Sequence, residues 1–173
     1  MKTGRIVIVG VLTVLGPSSA RSGNPELRIT PPGGTVDCMT MGEWTARWWQ
    51  WFAGIPAPEH PALDEKGERC DVNQDGPVFF LAGSSGGTAT RNCTIPAGKS
   101  ILLSALNVLT WAPGDCDPLD MGVCRAIAAG FINDKILLEA KINGKSIDIE
   151  SHREISPESV SYTHLTLPTI LRV

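Results

Sequence analysis

The apolar positions of the chain follow two different periods. Helical spacing occurs twice: Trp44, Trp48, Trp51 and Phe52 fall at i, i+4, i+7 and i+8, and a second stripe runs from Leu119 to Phe131. The other apolar positions form short runs bounded by Gly, Pro, Asn and Asp, a pattern typical of β-strands. The combination predicts a mainly β domain, an antiparallel β-sandwich or jelly-roll-like fold with helical insertions.

The first helix is predicted to begin at a capping box and to end near Gly54. Thr40 can accept a hydrogen bond from the backbone of Glu43, and the Glu43 carboxylate can reach back to the Thr40 N–H. Gly54 suits the position after the last turn, and Pro56 prevents continuation. Glu43 is therefore interpreted as a capping partner rather than a catalytic acid.

Two interpretations of this Trp-rich helix are open. Its aromatic stripe can form the core, with indole N–H groups bonded to backbone carbonyls, or exposed indoles can stack on sugar rings or another aromatic ligand. Helical spacing of aromatic residues favours the core. Trp49 lies off the stripe, so we expect this indole to be exposed and take it as the candidate ligand-binding residue.

Further elements follow from shorter patterns. A short strand is expected near Gly34–Val36, and a second helix with Asp117 as N-cap and Pro118 at its first position, running to about Asn133. The other strands are predicted from apolar runs and from an Asn-Gly hairpin turn: Pro77–Ala82, Thr88–Cys93, Ser100–Leu109, and Lys135–Ile142 paired with Lys145–Glu150 through Asn143-Gly144.

The N-terminus has the three regions of a secretory signal. Lys2 and Arg5 are basic, Ile6–Leu15 is apolar but too short to span a bilayer, and Ser18-Ser19-Ala20 is a small-residue cleavage site. We predict a signal peptide at residues 1–20, a secreted or periplasmic protein, and no membrane span after cleavage. The alternative is an uncleaved membrane anchor.

The domain organisation is predicted from composition. Residues 21–40 are polar and rich in Pro and Gly, which indicates an extended N-terminal arm, and residues 41–159 form a single β-rich domain. The formal net charge is −3 and no basic cluster is present, so nucleic acid is not expected as a partner. A carbohydrate or another extracellular protein stays open as the partner.

Residues 160–173 do not fit the rest of the chain. Val160–Thr169 resembles the translation of a transposase adapter used in sequencing libraries, and Ile170–Val173 would then be read-through. The alternative is a genuine polar strand. We exclude this tail from fold reasoning and expect the domain to be truncated at its C-terminus.

The five cysteines favour disulfides, because an exported protein enters an oxidising compartment. Cys116 and Cys124 bracket a short loop and are predicted to pair. Cys70 and Cys93 flank a Gly-rich segment and form the second predicted pair. Cys38 is then unpaired, or its partner is missing from this chain.

Two polar clusters are candidates for chemistry, and no cofactor is expected at either apart from calcium at the first. Asp71, Asn73 and Asp75 match the opening of a calcium loop, although the Glu expected at the twelfth position is replaced by Ala82. Asp and Asn before Gly are equally typical of a solvated turn. His60 with Asp64 and Glu65 could form a metal or acid–base cluster, or His60 could simply hydrogen-bond in its loop.

Four segments are similar to a family of bacterial exported proteins of uncharacterised function: Glu43–Trp51, Gly76–Gly83, Arg91–Lys99 and the hairpin at Asn143–Lys145. The resemblance covers most of residues 40 to 156. It implies export, a β-rich fold and further strands beyond this sequence. It implies no catalytic residue.

The sequence therefore predicts a secreted, disulfide-stapled β-rich binding or structural module of unknown ligand. The alternative is a secreted hydrolase acting on carbohydrate or another extracellular polymer. That enzyme would use acids between Asp64 and Asp75, with Trp49 as a stacking surface.

Overall fold

Two α-helices and three separate strand pairs make up the regular structure of the computed structural model. It describes residues 28–84, 89–104, 107–110, 114–117, 120–134, 139–142 and 145–155. The predicted signal peptide and the tail from 160 lie outside these residues. The elements in chain order are β1 Thr35–Val36, β2 Met39–Thr40, α1 Met41–Gly54, β3 Val78–Leu81, β4 Ser100–Leu103, α2 Met121–Asn133, β5 Ala140–Ile142 and β6 Lys145–Ile147, with short 3-10 turns at Ala57–Glu59, Pro61–Leu63 and Glu150–His152.

The predicted β-sandwich or jelly-roll is wrong, and the described fold is not mainly β. The strands form three two-stranded sheets, β1–β2, β3–β4 and β5–β6, rather than two packed antiparallel layers. The central pair β3–β4 is parallel, with Val78 opposite Ser100 and Leu81 opposite Leu103. The runs predicted at Pro77–Ala82 and Ser100–Leu109 contain β3 and β4, but a run does not encode the direction of its partner. A fully apolar run suits a parallel pair buried on both faces.

Helix α1 begins at the capping box that the sequence predicts. The Thr40 hydroxyl accepts from the Glu43 N–H at 3.3 Å, and the Thr40 N–H donates to the Glu43 carboxylate at 2.8 Å. The helix ends differently from the prediction. Gly54 is its last residue rather than the residue beyond it, and Ile55 follows in an extended conformation with φ −93°.

The β3–β4 sheet lies between two apolar clusters. On one face, Val78 and Phe80 pack with the aromatic residues of α1, and Leu102 adds to this cluster. On the other face the cluster contains buried Phe79 and partly buried Leu103, with Leu81, Cys70, Cys93 and Ile95 completing it. All four residues of β3 are buried, so this short strand joins the two halves of the core.

The remaining elements confirm the predictions only in part. Helix α2 is capped by Asp120, whose side chain accepts from the Val123 N–H, so it begins after the predicted Asp117 start. The antiparallel hairpin is present but shorter, with Ile142 opposite Lys145, and its Asn-Gly turn lies outside the described residues. The strand predicted at Thr88–Cys93 is wrong over residues 89–93, which are irregular. No helix in the described ranges has both the length and the apolar character needed to cross a membrane.

Both predicted disulfides are present. Cys70 pairs with Cys93 and Cys116 with Cys124, while Cys38 is exposed and unpaired in the described part of the chain. Cys70 and Cys124 are buried, so each bond joins the core to a segment nearer the surface. The protein is therefore a disulfide-stapled module.

The two disulfides are expected to stabilise the fold unequally. They close segments of 23 and 8 residues. Because loop-closure entropy grows with length, replacing Cys70 and Cys93 with Ala should cost about 3.4 kcal/mol, against about 2.5 kcal/mol for the Cys116 and Cys124 pair. Urea unfolding of the two double variants measures this difference. A larger cost for the 8-residue loop would contradict it.

Candidate functional site

Helix α1 is tied to three other segments by indole hydrogen bonds. The Trp44 N–H donates to the Val36 carbonyl at 2.8 Å, which attaches the first hairpin. The Trp48 and Trp51 N–H groups reach farther along the chain, to the Leu81 carbonyl at 3.1 Å and the Val72 carbonyl at 2.9 Å. The prediction that the aromatic stripe forms the core, with its indole N–H groups on backbone carbonyls, is confirmed for these three residues.

The expectation that Trp49 is exposed is wrong. Only 9 % of its surface is accessible, because its ring packs edge-on against Trp48 and Phe52 with centroids 5.0 and 5.7 Å apart. The buried side of the helix is wider than the aromatic stripe, so a residue beside the stripe still packs in the core. Trp49 differs from its neighbours in one respect. The indole N–H of Trp49 has no hydrogen bond to any described residue. Because Trp49 is not among the buried side chains that lack a partner, its indole nitrogen is not fully enclosed.

The loop Asp71–Gly76, called the acidic loop below, turns its middle residue inward. The Gln74 amide donates to the carbonyls of Cys70 and Phe80 at 2.9 and 2.8 Å, and its oxygen accepts from the Phe80 N–H at 2.9 Å. The Lys99 ammonium donates to the Gln74 carbonyl at 3.2 Å. The loop backbone is thus held by α1, by β3, by Lys99 and by the disulfide next to it.

The three candidate calcium ligands lie on the outside of this loop. Asp71, Asn73 and Asp75 are exposed, and no hydrogen bond to their side chains occurs within the described residues. Asn73 has φ 51° and Gly76 φ 75°, the left-handed conformations expected of Asn and Gly in a turn. Two carboxylates and one amide supply only part of the six to eight oxygens that calcium takes. In the described ranges, no three His, Cys, Asp or Glu side chains gather to hold a metal ion.

His60 is bound to the backbone through both ring nitrogens. Nδ1 lies 3.1 Å from the Ala62 N–H and accepts from it, so the proton of the neutral ring sits on Nε2, which donates to the Phe52 carbonyl at 2.8 Å. Burial lowers the pKa of His60, and the Phe52 carbonyl opposes this effect only in part. His60 therefore fixes the turn after α1 as a neutral ring.

Asp64 is a buried carboxylate held by backbone donors. Its oxygens accept from the N–H groups of Lys66, Gly67 and Arg69 at 2.8 to 3.0 Å. Burial acts to raise the pKa of Asp64, but these three donors, with the charge of Arg91, outweigh burial and lower it. A carboxyl group held ionised in this way is unsuited to donate a proton at neutral pH.

Arg91 closes the same turn from the opposite side. Its guanidinium donates to the carbonyls of Ala82 and Ala62 at 2.7 and 3.1 Å and to the Asp64 carbonyl. The neighbouring Asn92 backbone lies so close to Gly67 that a β-carbon there would stand 2.7 Å from the Asn92 nitrogen. Gly67 also has φ +90°, so only glycine suits this crossing.

The predicted polar residues are therefore split between structure and surface. His60 and Asp64 meet in one turn but are engaged with the backbone, while Glu65 is exposed beside them. Asp71, Asn73 and Asp75 share the acidic loop, and no hydrogen bond joins them to Trp49. The sequence analysis missed Gln74 and Arg91. Nothing in the hydrophobic pattern marks them, although the spacing of Asp64 and Gly67 is typical of a side-chain-capped turn.

Comparisons with known proteins give no match. No protein-family model fits the chain, and no curated protein or solved structure is similar to it. Function is therefore inferred from the residues themselves.

The indole hydrogen bond of Trp51 can be separated from the bulk of its ring. Trp51 and Trp49 are 8 and 9 % exposed, yet only Trp51 donates to a described carbonyl. Trp51→Phe should cost about 1 kcal/mol more in unfolding free energy than Trp49→Phe, because it leaves the Val72 carbonyl without its donor. Urea unfolding measures both variants. Equal costs would show that ring packing alone matters.

The lowered pKa of His60 predicts a stability loss in mild acid. The unfolded chain takes up a proton near pH 6.5 while the folded chain resists it, so stability is full above that pH and falls as pH drops below it. The ordinary pKa of an aspartate lies far below that of a histidine, and the fold lowers the pKa of Asp64 further. Asp64 therefore changes the pH dependence of stability only in more acidic solution.

The matched variant is His60→Asn, whose side-chain oxygen can keep the Ala62 contact without titrating. Unfolding free energies from pH 8 to pH 5 should fall more steeply for the natural protein than for the variant. Parallel pH profiles would contradict this role of His60.

Proposed function

We propose that the protein is an exported, disulfide-stapled binding module and that the acidic loop is its ligand-facing surface. One observation carries the proposal: the loop backbone is fixed from inside, while its acidic side chains are exposed and make no hydrogen bond in the described structure. A loop that is already ordered loses little conformational entropy when it binds. Loops held on a rigid core commonly carry binding residues.

Export is supported by the disulfides and by the leader-like N-terminus. Two disulfides form within the chain, which is typical of proteins that mature outside the reducing cytosol. We infer a secreted or periplasmic location from these features together.

The chemistry of the loop favours ligands that donate hydrogen bonds. Carboxylate and amide oxygens of Asp71, Asn73 and Asp75 can accept from sugar hydroxyls or from basic groups of an extracellular protein. Calcium held by the same three side chains would complete its shell with carbonyls and water.

The alternative function, hydrolysis of carbohydrate or another polymer, rests on the exposed carboxylates of Asp71 and Asp75. The lowered pKa of Asp64 does not support a role as the proton donor that glycoside hydrolysis requires. His60 is committed to two backbone groups. The binding module is therefore the stronger proposal.

A glycan array and a panel of polymer substrates, each with and without EGTA, test the proposal. The natural protein should be captured by a glycan class without turning over any substrate. Asp71→Asn with Asp75→Asn should weaken capture at least tenfold, because both charged acceptors are lost.

The matched control is Glu65→Gln with Glu68→Gln, two exposed acids on the neighbouring turn, which should leave capture unchanged. Turnover that depends on Asp71 or Asp75 would replace binding with hydrolysis. Capture or thermal stability lost in EGTA would establish calcium, and unchanged values would remove it. Equal capture by both double variants would exclude the acidic loop as the binding surface.

A further inference from the structure

The two outer edges of the β3–β4 sheet differ in whether side chains bond to their backbone groups. On the outer edge of β3, the Gln74 amide bonds to both the N–H and the carbonyl of Phe80, at 2.9 and 2.8 Å. A side-chain amide that pairs with both groups takes the place of a neighbouring strand. Arg91 covers the next carbonyl along, that of Ala82. This edge is closed to further pairing at its centre.

Among the described residues, nothing covers the outer edge of β4 in this way. The Ser100 N–H donates to the Pro77 carbonyl at 3.0 Å, so Ser100 and Leu102 direct their backbone groups toward β3. The N–H and carbonyl groups of Ile101 and Leu103 consequently point away from β3. No strand pairs with this edge among the described residues.

The four residues of β4 carry none of the charges or prolines that often protect a strand edge. Ser-Ile-Leu-Leu carries no charge, Pro or Gly, and Ile101 is 42 % exposed. Natural proteins usually place charges, prolines or bulges where an edge must stay unpaired. In the described structure, the outer edge of β3 is covered by side chains, while the outer edge of β4 is uncharged and uncovered. This difference indicates that the β4 edge is a surface for strand pairing.

A buried side-chain donor without a partner follows β4 along the chain. Asn107 is 9 % exposed, and its side-chain nitrogen is the one buried side-chain N or O in the described structure without a hydrogen-bond partner. The Asn107 side-chain oxygen accepts from Ser104, the residue that follows β4. Buried polar groups nearly always have partners, and the described residues supply none for this nitrogen.

We propose that the β4 edge pairs antiparallel with the β4 edge of a second copy of this chain. The outward groups fit a two-fold axis at Leu102: Ile101 then stands opposite Leu103 of the other copy, and each such pair exchanges two hydrogen bonds. The two pairs satisfy the N–H and carbonyl groups of Ile101 and Leu103 in both copies. Because the strand is uncharged, identical edges meet without repulsion. The result is a four-stranded sheet centred on the dimer axis.

Light scattering and amide hydrogen exchange test this dimer, with Cys38→Ser as the background so that the exposed thiol cannot link two chains. The background protein should elute at twice the mass of one chain at tens of micromolar. Its Ile101 and Leu103 amides should exchange slowly, and faster on dilution. Ile101→Lys should raise the dissociation constant at least tenfold, because each lysine would lie opposite Leu103 of the other copy and diagonally across the axis from a like charge.

The control is Val123→Lys, which places the same charge on a residue of α2 that is 45 % exposed, and it should leave the dimer intact. Ile101→Pro removes only an outward N–H, so it should abolish the dimer while β3–β4 pairing persists. A monomeric background protein, or fast exchange at Ile101 and Leu103, would overturn the proposal. So would a dimer that survives both Ile101 variants.

Discussion

Three hydrogen bonds from the indoles of α1 connect the described core. Trp44 holds the first hairpin, Trp51 holds the acidic loop and Trp48 holds the end of β3. A phenylalanine would fill much of the same apolar volume, but it could not satisfy these carbonyls. The tryptophans therefore supply both apolar volume and directional hydrogen bonds. Through these bonds the helix fixes the irregular segments in place.

This arrangement explains how a chain with little regular structure holds a loop in place. The acidic loop contains no helix or strand, yet α1 binds its Val72 carbonyl, β3 binds its Gln74 side chain, and a disulfide precedes it. Each contact uses a backbone group that would otherwise be unsatisfied near the core. The exposed acids Asp71 and Asp75 are left as the part of the loop that can meet a ligand.

Local signals in the sequence were sufficient for part of this structure. The Thr40–Glu43 capping box, the helical aromatic stripe and the pairing Cys70–Cys93 depend on short-range chemistry, and all are present. The fold class failed because β3 and β4 pair in parallel, and the direction of pairing between distant apolar runs is set by tertiary packing.

The candidate site shows the same limit. The sequence located the exposed acids of the loop, but the residues that fix it act through long-range contacts with backbone groups. Arg91 meets the Ala62 carbonyl across 29 positions, and Trp51 meets the Val72 carbonyl across 21. No periodicity encodes such contacts. Trp49 was misplaced because a helix buried on a wide arc covers positions beside its main stripe.

Hydrogen exchange of the indole protons, resolved by NMR and assigned with single Trp→Phe variants, tests the role of α1 most directly. Indole N–H groups that donate to carbonyls exchange only when the structure opens. We predict strong protection for Trp48 and Trp51, and fast exchange for Trp49 in the same helix. Fast exchange at Trp48 and Trp51, or protection of Trp49 equal to theirs, would contradict the account.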